Sequence, residues 1–408
     1  MHILLINHYA GSPELGMEFR PYYLAKEWQK MGHQVLIIGA TYSHLRKKQP
    51  ESQGFEKIDG IDYYWIKTNE YHGNGAKRVL SMFGFVVKSC LKYKGICRNF
   101  KPDVVVASST YTFDNYVARK IAKHVSAKYI YEIHDLWPLS PIELGGMNPR
   151  HPFIAMLQHA ENYAYKHCNA VISILPNAKE HCTAHGLAPD KFFHVPNGIV
   201  KEDWDKPAEL PAAHQQLIEK LKSQGRFLVA FAGAHGIANS LPSIIDACAS
   251  LQEKGVSLLL VGTGQEKEKL IQYTQNQGYK NIHFLPAINK LSIPTFLRQM
   301  DVLYVGLQRQ SLFRFGISPN KIFDYMMAAK PIIQAIDSGN DLIGEAKCGI
   351  TVEPENTSAI AEAIVQLTDL TPEERQKLGE NGHQYVLKHH TYNVLAQQFV
   401  NAINYAGN

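Results

Sequence analysis

The sequence predicts an α/β protein with two doubly wound, Rossmann-like parallel-sheet domains in series. Short apolar runs rich in branched residues alternate with helix-length segments, which is typical of βαβ units. This alternation stops near residue 200 and starts again near residue 227. A chain of 408 residues is also too long for one ordinary hydrophobic core. Together these observations predict two domains rather than one.

Apolar runs that predict strands occur in both halves of the chain. They are residues 3–6, 35–38, 104–106, 129–131, 171–174 and 193–195, and then residues 227–231, 258–261, 282–285, 302–305, 331–335 and 350–352.

The connector between the halves, residues 201–224, carries prolines, charges and one predicted helix at 214–222. The turn at 195–199 suits a hinge because Asn and Gly tolerate positive φ, although it could equally be a plain turn. We therefore predict an N-terminal domain over residues 1–199, a C-terminal domain over 200–385, and a final helical stretch within 386–408.

The bulk composition, 45% hydrophobic and 19% charged, is that of a soluble globular protein. A net charge of +5 favours small anionic ligands or anionic lipid and does not require nucleic acid as a partner. No apolar run approaches the ~20 residues of a membrane helix, and Met1 leads into a strand, so we expect neither export nor a membrane span.

The six cysteines form no CxxC pair, which predicts reduced thiols and a cytoplasmic setting. The nearest approach to a metal-ligand cluster is His181, Cys182 and His185, with His167 and Cys168 upstream. That segment also fits a helix end with polar spacers, and no metal site is predicted there.

Residues 315–333 join a turn suited to phosphate to a helix and a buried strand. Gly316 lets the backbone approach a ligand, and Pro319 suits the first turn of a helix. The helix start and Lys321 favour a pyrophosphate, while Asp324, three residues later, can accept both hydroxyls of a ribose. This pattern predicts a nucleotide-sugar site, and the alternative is an ordinary surface loop and helix.

Glycines follow predicted strands at three further joints, where backbone N–H groups can meet a phosphate or a sugar. Gly16 lies in the loop after the first strand, Gly233 follows residues 227–231, and Gly262 and Gly264 follow residues 258–261. Each joint alone is also the ordinary way in which an α/β protein turns a corner.

Two other features have both a functional and a structural interpretation. His134, after the strand at 129–131, could donate to a sugar hydroxyl or orient the reacting groups, or it could be a structural histidine partnered by Asp135. Residues 76–101 carry Lys and Arg but no Asp or Glu, interleaved with apolar residues. Such a stretch can lie on an anionic membrane, or it can be a core-packed helix with a basic outer face.

The motifs along this chain resemble those of the retaining glycosyltransferases of family 4, and among them those of the bacterial enzymes that build O-antigen, capsule and similar surface glycans. The likeness spans essentially the whole chain in a specific order of motifs. They are Gly16-Met17-Glu18-Phe19-Arg20, His134-Asp135-Leu136-Trp137-Pro138, Val195-Pro196-Asn197-Gly198, Phe231-Ala232-Gly233, Val261-Gly262-Thr263-Gly264, and Ser318-Pro319-Asn320-Lys321 through Lys330-Pro331.

The resemblance implies the GT-B fold, two Rossmann-like domains that face each other across a cleft, with the last helix packing on the first domain. It implies a metal-independent transferase without a cofactor, which uses a nucleotide-sugar donor, commonly a UDP-sugar. The implied acceptor is a glycan or a polyprenyl-diphosphate-linked glycan.

By the same resemblance, Asp324 is the ribose ligand, Ile288 lies beside the base, and His134 lies near the donor sugar. His134 and Lys321 are the predicted catalytic residues. The implied donor site contains Gly16, Gly233, Gly262, Gly264, Ile288, Arg314, Gly316, Ile317, Ser318, Asn320, Lys321 and Asp324.

The chain departs from the family pattern at Gly316. The family usually has a glutamate at this position, eight residues before the ribose ligand. The basic pair that often follows the first glycine loop of the second domain is also absent, since Ala234 and Asn239 occupy that region. Lys321 and Arg314 could supply the positive charge instead. Two other functions therefore remain open at this point: a nucleotide-sugar epimerase of the same architecture, and a non-catalytic relative that serves as a partner subunit.

Overall fold

The computed structural model describes residues 1–73 and 75–406. The chain divides into two compact units: unit 1 comprises Met1–Asn197 and Tyr392–Asn408, and unit 2 comprises Gly198–Thr391. The divisions at 197/198 and 391/392 compare with sequence-based boundaries at 199/200 and 385/386. The second difference arises because residues 386–389 belong to the helix Pro372–His389, and the last helix begins only at Tyr392.

Unit 1 is built around one eight-stranded sheet. Its strands are β1 (His2–Ile6), β2 (Gln34–Ala40), β3 (Gly54–Ile58), β4 (Ile61–Ile66), β5 (Val104–Ala107), β6 (Lys128–Ile133), β7 (Ala170–Ser173) and β8 (Phe192–His194). Their order is β3-β4-β2-β1-β5-β6-β7-β8, and all neighbours are parallel except β3 and β4. Every apolar run predicted in the first half falls on one of these strands.

The antiparallel pair β3–β4, at one edge of this otherwise parallel sheet, is the part that the sequence analysis missed. Asp59 and Gly60 join the two strands, and both have positive φ, 49° and 84°. An Asp-Gly pair with positive φ at both positions is the preferred two-residue hairpin turn. That dipeptide was the signal that could have predicted the hairpin.

The helices of unit 1 before residue 198 are α1 (Arg20–Lys30), α2 (Ala76–Asn99), α3 (Asp114–Val125), α4 (Leu139–Glu143), α5 (Pro152–His167) and α6 (Lys179–Ala184).

Unit 2 is built around a six-stranded, wholly parallel sheet. Its strands are β9 (Phe227–Ala232), β10 (Val256–Val261), β11 (Ile282–Leu285), β12 (Val302–Gly306), β13 (Ile332–Ala335) and β14 (Gly349–Val352), in the order β11-β10-β9-β12-β13-β14. Both faces of β9 are buried: Leu228 and Ala230 pack into one core cluster, and Val229 and Phe231 into another. Helices therefore cover both faces, as a doubly wound sheet requires. Every run predicted in the second half falls on a strand.

The helices of unit 2 are α7 (Glu202–Asp205), α8 (Ala212–Ser223), α9 (Leu241–Ser250), α10 (Lys267–Asn276), α11 (Ile293–Leu297), α12 (Asn320–Met327), α13 (Leu342–Ala346), α14 (Thr357–Asp369) and α15 (Pro372–His389). The connector helix predicted at 214–222 corresponds to α8.

The last helix, α16 (Tyr392–Tyr405), packs on α1 of unit 1. The Trp28 indole Nε1 donates to the Ala396 carbonyl at 3.3 Å, and the rings of Trp28 and Phe399 meet edge to face at 5.0 Å. The chain thus returns to unit 1 after completing unit 2. Over residues 1–73 and 75–406, no helix has both the length and the apolar character needed to cross a bilayer.

Candidate active site

The loops after β9 and β10 interlock at the carboxyl edge of the sheet in unit 2. The Gly233 N–H donates to the Val261 carbonyl at 2.9 Å, and the His235 N–H donates to the Thr263 carbonyl at 2.8 Å. A Cβ atom added to Gly262, whose φ is 149°, would lie 1.9 Å from the Gly233 oxygen. Only glycine fits there, so the predicted Gly233 and Gly262 lie side by side, as the sequence analysis expected of neighbouring strand ends.

Lys321, in the first turn of α12, reaches across to these loops. Its Nζ donates to Asn239 Oδ1 at 2.7 Å and lies 4.3 Å from the centroid of the Phe231 ring. Burial lowers the pKa of the Lys321 ammonium to about 8. The structure therefore holds a partly desolvated ammonium group beside the glycine loop after β9, where an anion would stabilise it.

The start of α12 is suited to an anionic ligand. Pro319 occupies the N-cap position rather than the first helical turn, and within the described chain no side chain caps the helix. Gly316 has φ 90°, in the region that favours glycine, and Ile317 is fixed by two hydrogen bonds to Asn340, at 2.8 and 3.1 Å. The turn before the helix is thus rigid, and first-turn N–H groups are available to a ligand.

The remaining predicted residues of this segment differ in exposure. Ser318 is buried, whereas Asn320 and Arg314 are exposed. An Arg314 Nη atom donates to the Ser311 carbonyl at 2.7 Å, and its guanidinium lies 4.4 Å from the centroid of the Phe315 ring.

Asp324 lies one turn after Lys321 and has different neighbours. Burial raises the pKa of the Asp324 carboxyl to about 7, Lys290 lowers it and Asp203 raises it, and the Trp204 side chain donates a hydrogen bond to it. Lys290 belongs to the loop after β11, the loop that also carries Ile288. Lys321 therefore faces the β9 loop and Asp324 has an electrostatic partner in the β11 loop.

A cavity of about 210 Å³ lies between the loops that follow β9, β10 and β11. Its lining includes Gly233, Gly262, Thr263 and Ile288. Three of these residues were predicted donor-site residues, and the structure brings them to one cavity. Gly264, the other predicted glycine, packs against His235: an added Cβ atom would lie 2.3 Å from the His235 carbonyl oxygen.

His235 is a feature that the sequence analysis did not single out. It is fully buried, and neither ring nitrogen has a hydrogen-bond partner among the described residues. Burial, together with Lys267 and Lys321, lowers the pKa of His235 to about 4, so the ring is neutral. Its place after a strand and between two glycines was the signal that could have marked it.

In unit 1, His134 is held by a buried ionic network. Its Nε2 lies 2.9 Å from Ser108 Oγ and 3.2 Å from Glu132 Oε2, and Arg20 Nε donates to Glu132 Oε1 at 2.8 Å. Burial alone would raise the pKa of Glu132, but Arg20, His134 and Ser108 together lower it to about 2. Glu132 is thus an anion that orients His134. Residues two apart share a strand face, so Glu132 could have been predicted from its spacing.

Gly16 and Asp135 are two further residues of unit 1 that the sequence analysis named. Each contacts residues of unit 1. Gly16 has φ 107°, and an added Cβ atom would lie 2.8 Å from the Lys47 nitrogen. Gly16 therefore allows close packing against residues 46–47. Asp135 accepts from Ser140 Oγ at 2.5 Å and from the Leu136 N–H at 2.9 Å, so its hydrogen bonds lie within its own loop, and its interaction with His134 is electrostatic.

The His181 region was the nearest sequence match to a metal cluster. Ligand atoms of Glu161, His181 and His185 lie within 4.8 Å of one another. His181 Nε2, however, lies 2.9 Å from Glu161 Oε1, and Tyr165 and Gln158 also donate to Glu161, at 2.9 and 2.7 Å. Glu161 and His181 are therefore already hydrogen-bonded to each other and to neighbouring side chains.

Two protein-family models match the chain, one in each half. Residues 16–203 match the model described as Glycosyltransferase Family 4, and residues 226–369 match the model described as Glycosyl transferases group 1. Each half of the chain thus matches a glycosyltransferase model.

Curated relatives are sugar transferases of low identity. The alpha-D-kanosaminyltransferase of Streptomyces kanamyceticus is 23% identical over 226 residues, which is 54% of this chain and 56% of that protein. The D-rhamnosyltransferase WbpZ of Pseudomonas aeruginosa is 26% identical over 194 residues, 47% of this chain and 48% of that protein. The chain thus spans about half the length of the curated relatives it matches.

Solved structures resemble the chain over nearly its full length. The sucrose-phosphate synthase of Thermosynechococcus elongatus has a TM-score of 0.74 at 15% identity and covers 98% of this chain and 97% of its own. HepE of Anabaena in complex with UDP has a TM-score of 0.69 at 16% identity, with 99% and 100% covered. These similarities confirm the predicted fold class, which is GT-B with two parallel-sheet α/β domains.

Proposed function

We propose that the protein is a retaining, metal-independent glycosyltransferase of surface polysaccharide biosynthesis, of the O-antigen or capsule type. It transfers a sugar from a nucleotide-diphosphate donor, a UDP-sugar, to a hydroxyl of a glycan or lipid-linked glycan. The observation that carries this proposal is the partly desolvated Lys321 ammonium at the uncapped start of α12, beside Gly233. The glycosyltransferase models that match both halves support it, as does the UDP complex of a protein of the same fold.

The donor fits the unit 2 site in three parts. The diphosphate lies at the start of α12, where helix N–H groups and Lys321 supply positive charge. Asp324 accepts the ribose hydroxyls, and its raised pKa of about 7 falls once those donors are present. The base occupies the cavity lined by Ile288 and Gly262.

The reaction exchanges bonds on one face of the donor sugar. The bond from the anomeric carbon to the diphosphate oxygen breaks, the acceptor oxygen bonds to that carbon from the same side, and the acceptor proton passes to the leaving phosphate oxygen. Lys321 and the helix start stabilise the charge that develops on the diphosphate. Glu132 is not available as a nucleophile because it is fully buried and paired with Arg20.

In unit 1, we propose His134 as a hydrogen-bonding residue for the donor sugar. The Ser108 hydroxyl donates to Glu132 Oε2 at 2.6 Å, so its oxygen is left to accept from His134 Nε2–H. That arrangement leaves the other ring nitrogen, Nδ1, for a further partner. We assign it to a hydroxyl of the donor sugar.

Incubation of the purified full chain with a panel of nucleotide sugars tests the proposed activity. We expect one UDP-sugar to be hydrolysed slowly to UDP without an acceptor, because water replaces the acceptor hydroxyl. Conversion to an isomeric UDP-sugar would instead establish an epimerase. Tight UDP binding with no turnover of any donor would indicate a non-catalytic subunit, and absence of UDP binding would refute the donor site.

We also propose that α2 of unit 1 contacts an anionic membrane, which would bring the enzyme to a lipid-linked acceptor. Leu80, Val87 and Leu91 are 67%, 55% and 76% exposed and lie on one stripe of the helix. Lys92 is exposed and Lys88 is half-buried close to this stripe. An apolar cavity of about 460 Å³, lined by Phe83, Val86, Phe113, Tyr116 and Met156 among others, opens beside the same helix. Apolar residues flanked by cations suit a bilayer with anionic headgroups.

Replacement of Leu91 by Glu is expected to weaken sedimentation with vesicles of anionic phospholipid by about tenfold, because it places a charge on the apolar stripe. Phe55→Glu is the control, since Phe55 is 48% exposed on the edge strand β3. Equal sedimentation of both variants and the parent protein, or equal binding to neutral vesicles, would contradict membrane contact through α2.

A further inference from the structure

A group of cationic and aromatic side chains lies at the carboxyl edge of the sheet in unit 1, apart from the His134 network. It consists of Arg46, Arg78, His44, Tyr9 and Tyr71, and we call it the unit 1 cation cluster. Tyr9 follows β1, His44 and Arg46 follow β2, Tyr71 follows β4, and Arg78 lies in the first turn of α2. The carboxyl edge of a doubly wound sheet is where such domains bind ligands.

Arg46 provides the first indication of a missing partner. It is only 6% exposed, and its Nε and Nη1 atoms have no hydrogen-bond partner among the described residues. Its Nη2 donates to the Ala40 carbonyl at 2.5 Å, and its guanidinium lies 5.0 Å from the centroid of the Trp65 ring. Burial lowers the pKa of Arg46 to about 10. A buried cation with unused donors is costly, and an anion that occupied them would remove that cost.

The start of α2 provides the second indication. Lys77 and Arg78 occupy its first turn, which contains no acidic residue, and no side chain caps the helix within the described chain. Cations at the positive end of a helix dipole are unfavourable, whereas an anion there is favourable. This helix start therefore has the charge arrangement of an anion site.

Hydroxyl and imidazole groups lie around Arg78, and Arg46 interacts electrostatically with one of them, Tyr71. Arg78 Nε donates to Tyr9 Oη at 3.2 Å, and His44 Nδ1 lies 2.8 Å from Tyr71 Oη. His44 is exposed, Arg78 is half-buried, and Tyr9 and Tyr71 are buried. Burial and Arg78 lower the pKa of His44, so the cluster repels a further proton in the absence of an anion.

We propose that the unit 1 cation cluster binds an oxyanion, a phosphate or a carboxylate, carried by the acceptor. Anion binding itself does not depend on the proposed function, but its assignment to an acceptor does. The acceptor of this enzyme is then an acidic glycan or a phosphate-bearing glycolipid, and Arg78 and Arg46 select it. Lys321 and α12 in unit 2 hold the donor diphosphate independently.

Titration of the full chain with inorganic phosphate, and separately with acetate, tests this inference. UDP is kept saturating so that the donor site is filled, and sodium chloride holds the ionic strength constant. We expect a saturable rise in Tm with one or both anions. Arg78→Ala should raise the apparent anion Kd by about tenfold or more, because it removes a charge-assisted hydrogen bond. Arg98→Ala, an exposed arginine later in α2, is the matched control and should behave like the parent protein.

Further variants separate the outcomes. Arg46→Lys keeps the buried charge but loses the forked donors, so it should weaken anion binding even though the protein folds. Lys321→Ala should keep the anion response and lose the UDP response. A response to phosphate alone identifies a phosphate-bearing acceptor, and a response to acetate identifies a carboxylate. No saturable response to either anion, or an equal response in Arg78→Ala and the parent protein, would overturn the inference. Loss of UDP binding alone would overturn only the proposed function.

Discussion

Replacement of Lys321 by Ala is expected to lower kcat by about 10²–10³-fold, the usual effect of removing one preorganised group that stabilises developing charge. In the free protein the Lys321 ammonium is desolvated, and among residues 1–73 and 75–406 it is held by Asn239 and the face of Phe231. Neither partner neutralises its charge, which is therefore available to a diphosphate. The interaction strengthens as the sugar leaves, because the diphosphate then gains negative charge. Steady-state kinetics with the UDP-sugar identified by the donor panel would measure the loss.

Lys330→Ala is the matched control for this variant. Lys330 is also half-buried with a pKa lowered by burial, but it follows α12 in the chain and is not part of the loops after β9 and β10. We expect the folded fraction of this variant to retain full turnover. If kcat falls equally in both variants, or by less than about threefold in Lys321→Ala, then Lys321 does not stabilise the charge that develops on the diphosphate.

The pH dependence provides an independent check on the same lysine. With a pKa of about 8, Lys321 loses its proton in the free enzyme as the pH rises through 8. Only the protonated form attracts the diphosphate, so the apparent donor KM should rise by about tenfold for each pH unit above that value. Lys321→Arg should remove this rise, since arginine stays protonated over the whole range.

Much of the fold was accessible from the sequence because its signals are local. Continuous apolar runs predicted the parallel strands, and helix-length spacing predicted the doubly wound order. The hairpin β3–β4 was missed because residues 54–58 alternate half-buried and exposed side chains before the buried Ile58, and residues 61–64 alternate buried and half-buried ones. Its signal lay in the Asp59-Gly60 turn, which apolar runs do not detect.

The partners of the site residues were inaccessible for a different reason. Lys321 could be proposed from its place at a helix start, but its partner Asn239 lies 82 positions away in the chain. Arg20 and Glu132 are 112 positions apart. Nothing in the residues near either one specifies the other, because the pairing follows from strand order. The sequence therefore indicated which groups carry charge, and the fold determined whether that charge is paired, as in Glu132, or left for a ligand, as in Lys321.

The second large effect is expected from removal of the buried anion beneath His134. Glu132→Ala should lower the free energy of unfolding by about 3–5 kcal/mol, because it leaves the Arg20 guanidinium buried without a counterion. The side chains of Arg20 and Glu132 are 1% and 0% exposed, so solvent cannot compensate. Arg20 also donates to the Pro196 and Val195 carbonyls, at 2.6 and 2.9 Å, and an uncompensated charge would strain those contacts as well. Urea denaturation followed by tryptophan fluorescence would measure the change.

Two comparisons determine whether the effect comes from the buried charge. Lys48→Ala removes an exposed pair with Glu14, whose side chains are 51% and 63% exposed, and should leave the free energy of unfolding nearly unchanged. The pH dependence should also differ between Glu132→Ala and the parent protein. The pKa of Glu132 is about 2 in the folded protein and 4.5 ordinarily, so its contribution is complete above pH 4.5 and is lost as the pH falls towards 2. The stability difference between parent and variant should therefore shrink over that interval. If the difference is constant with pH, the loss comes from packing, and Glu132 does not act as the anion that orients His134.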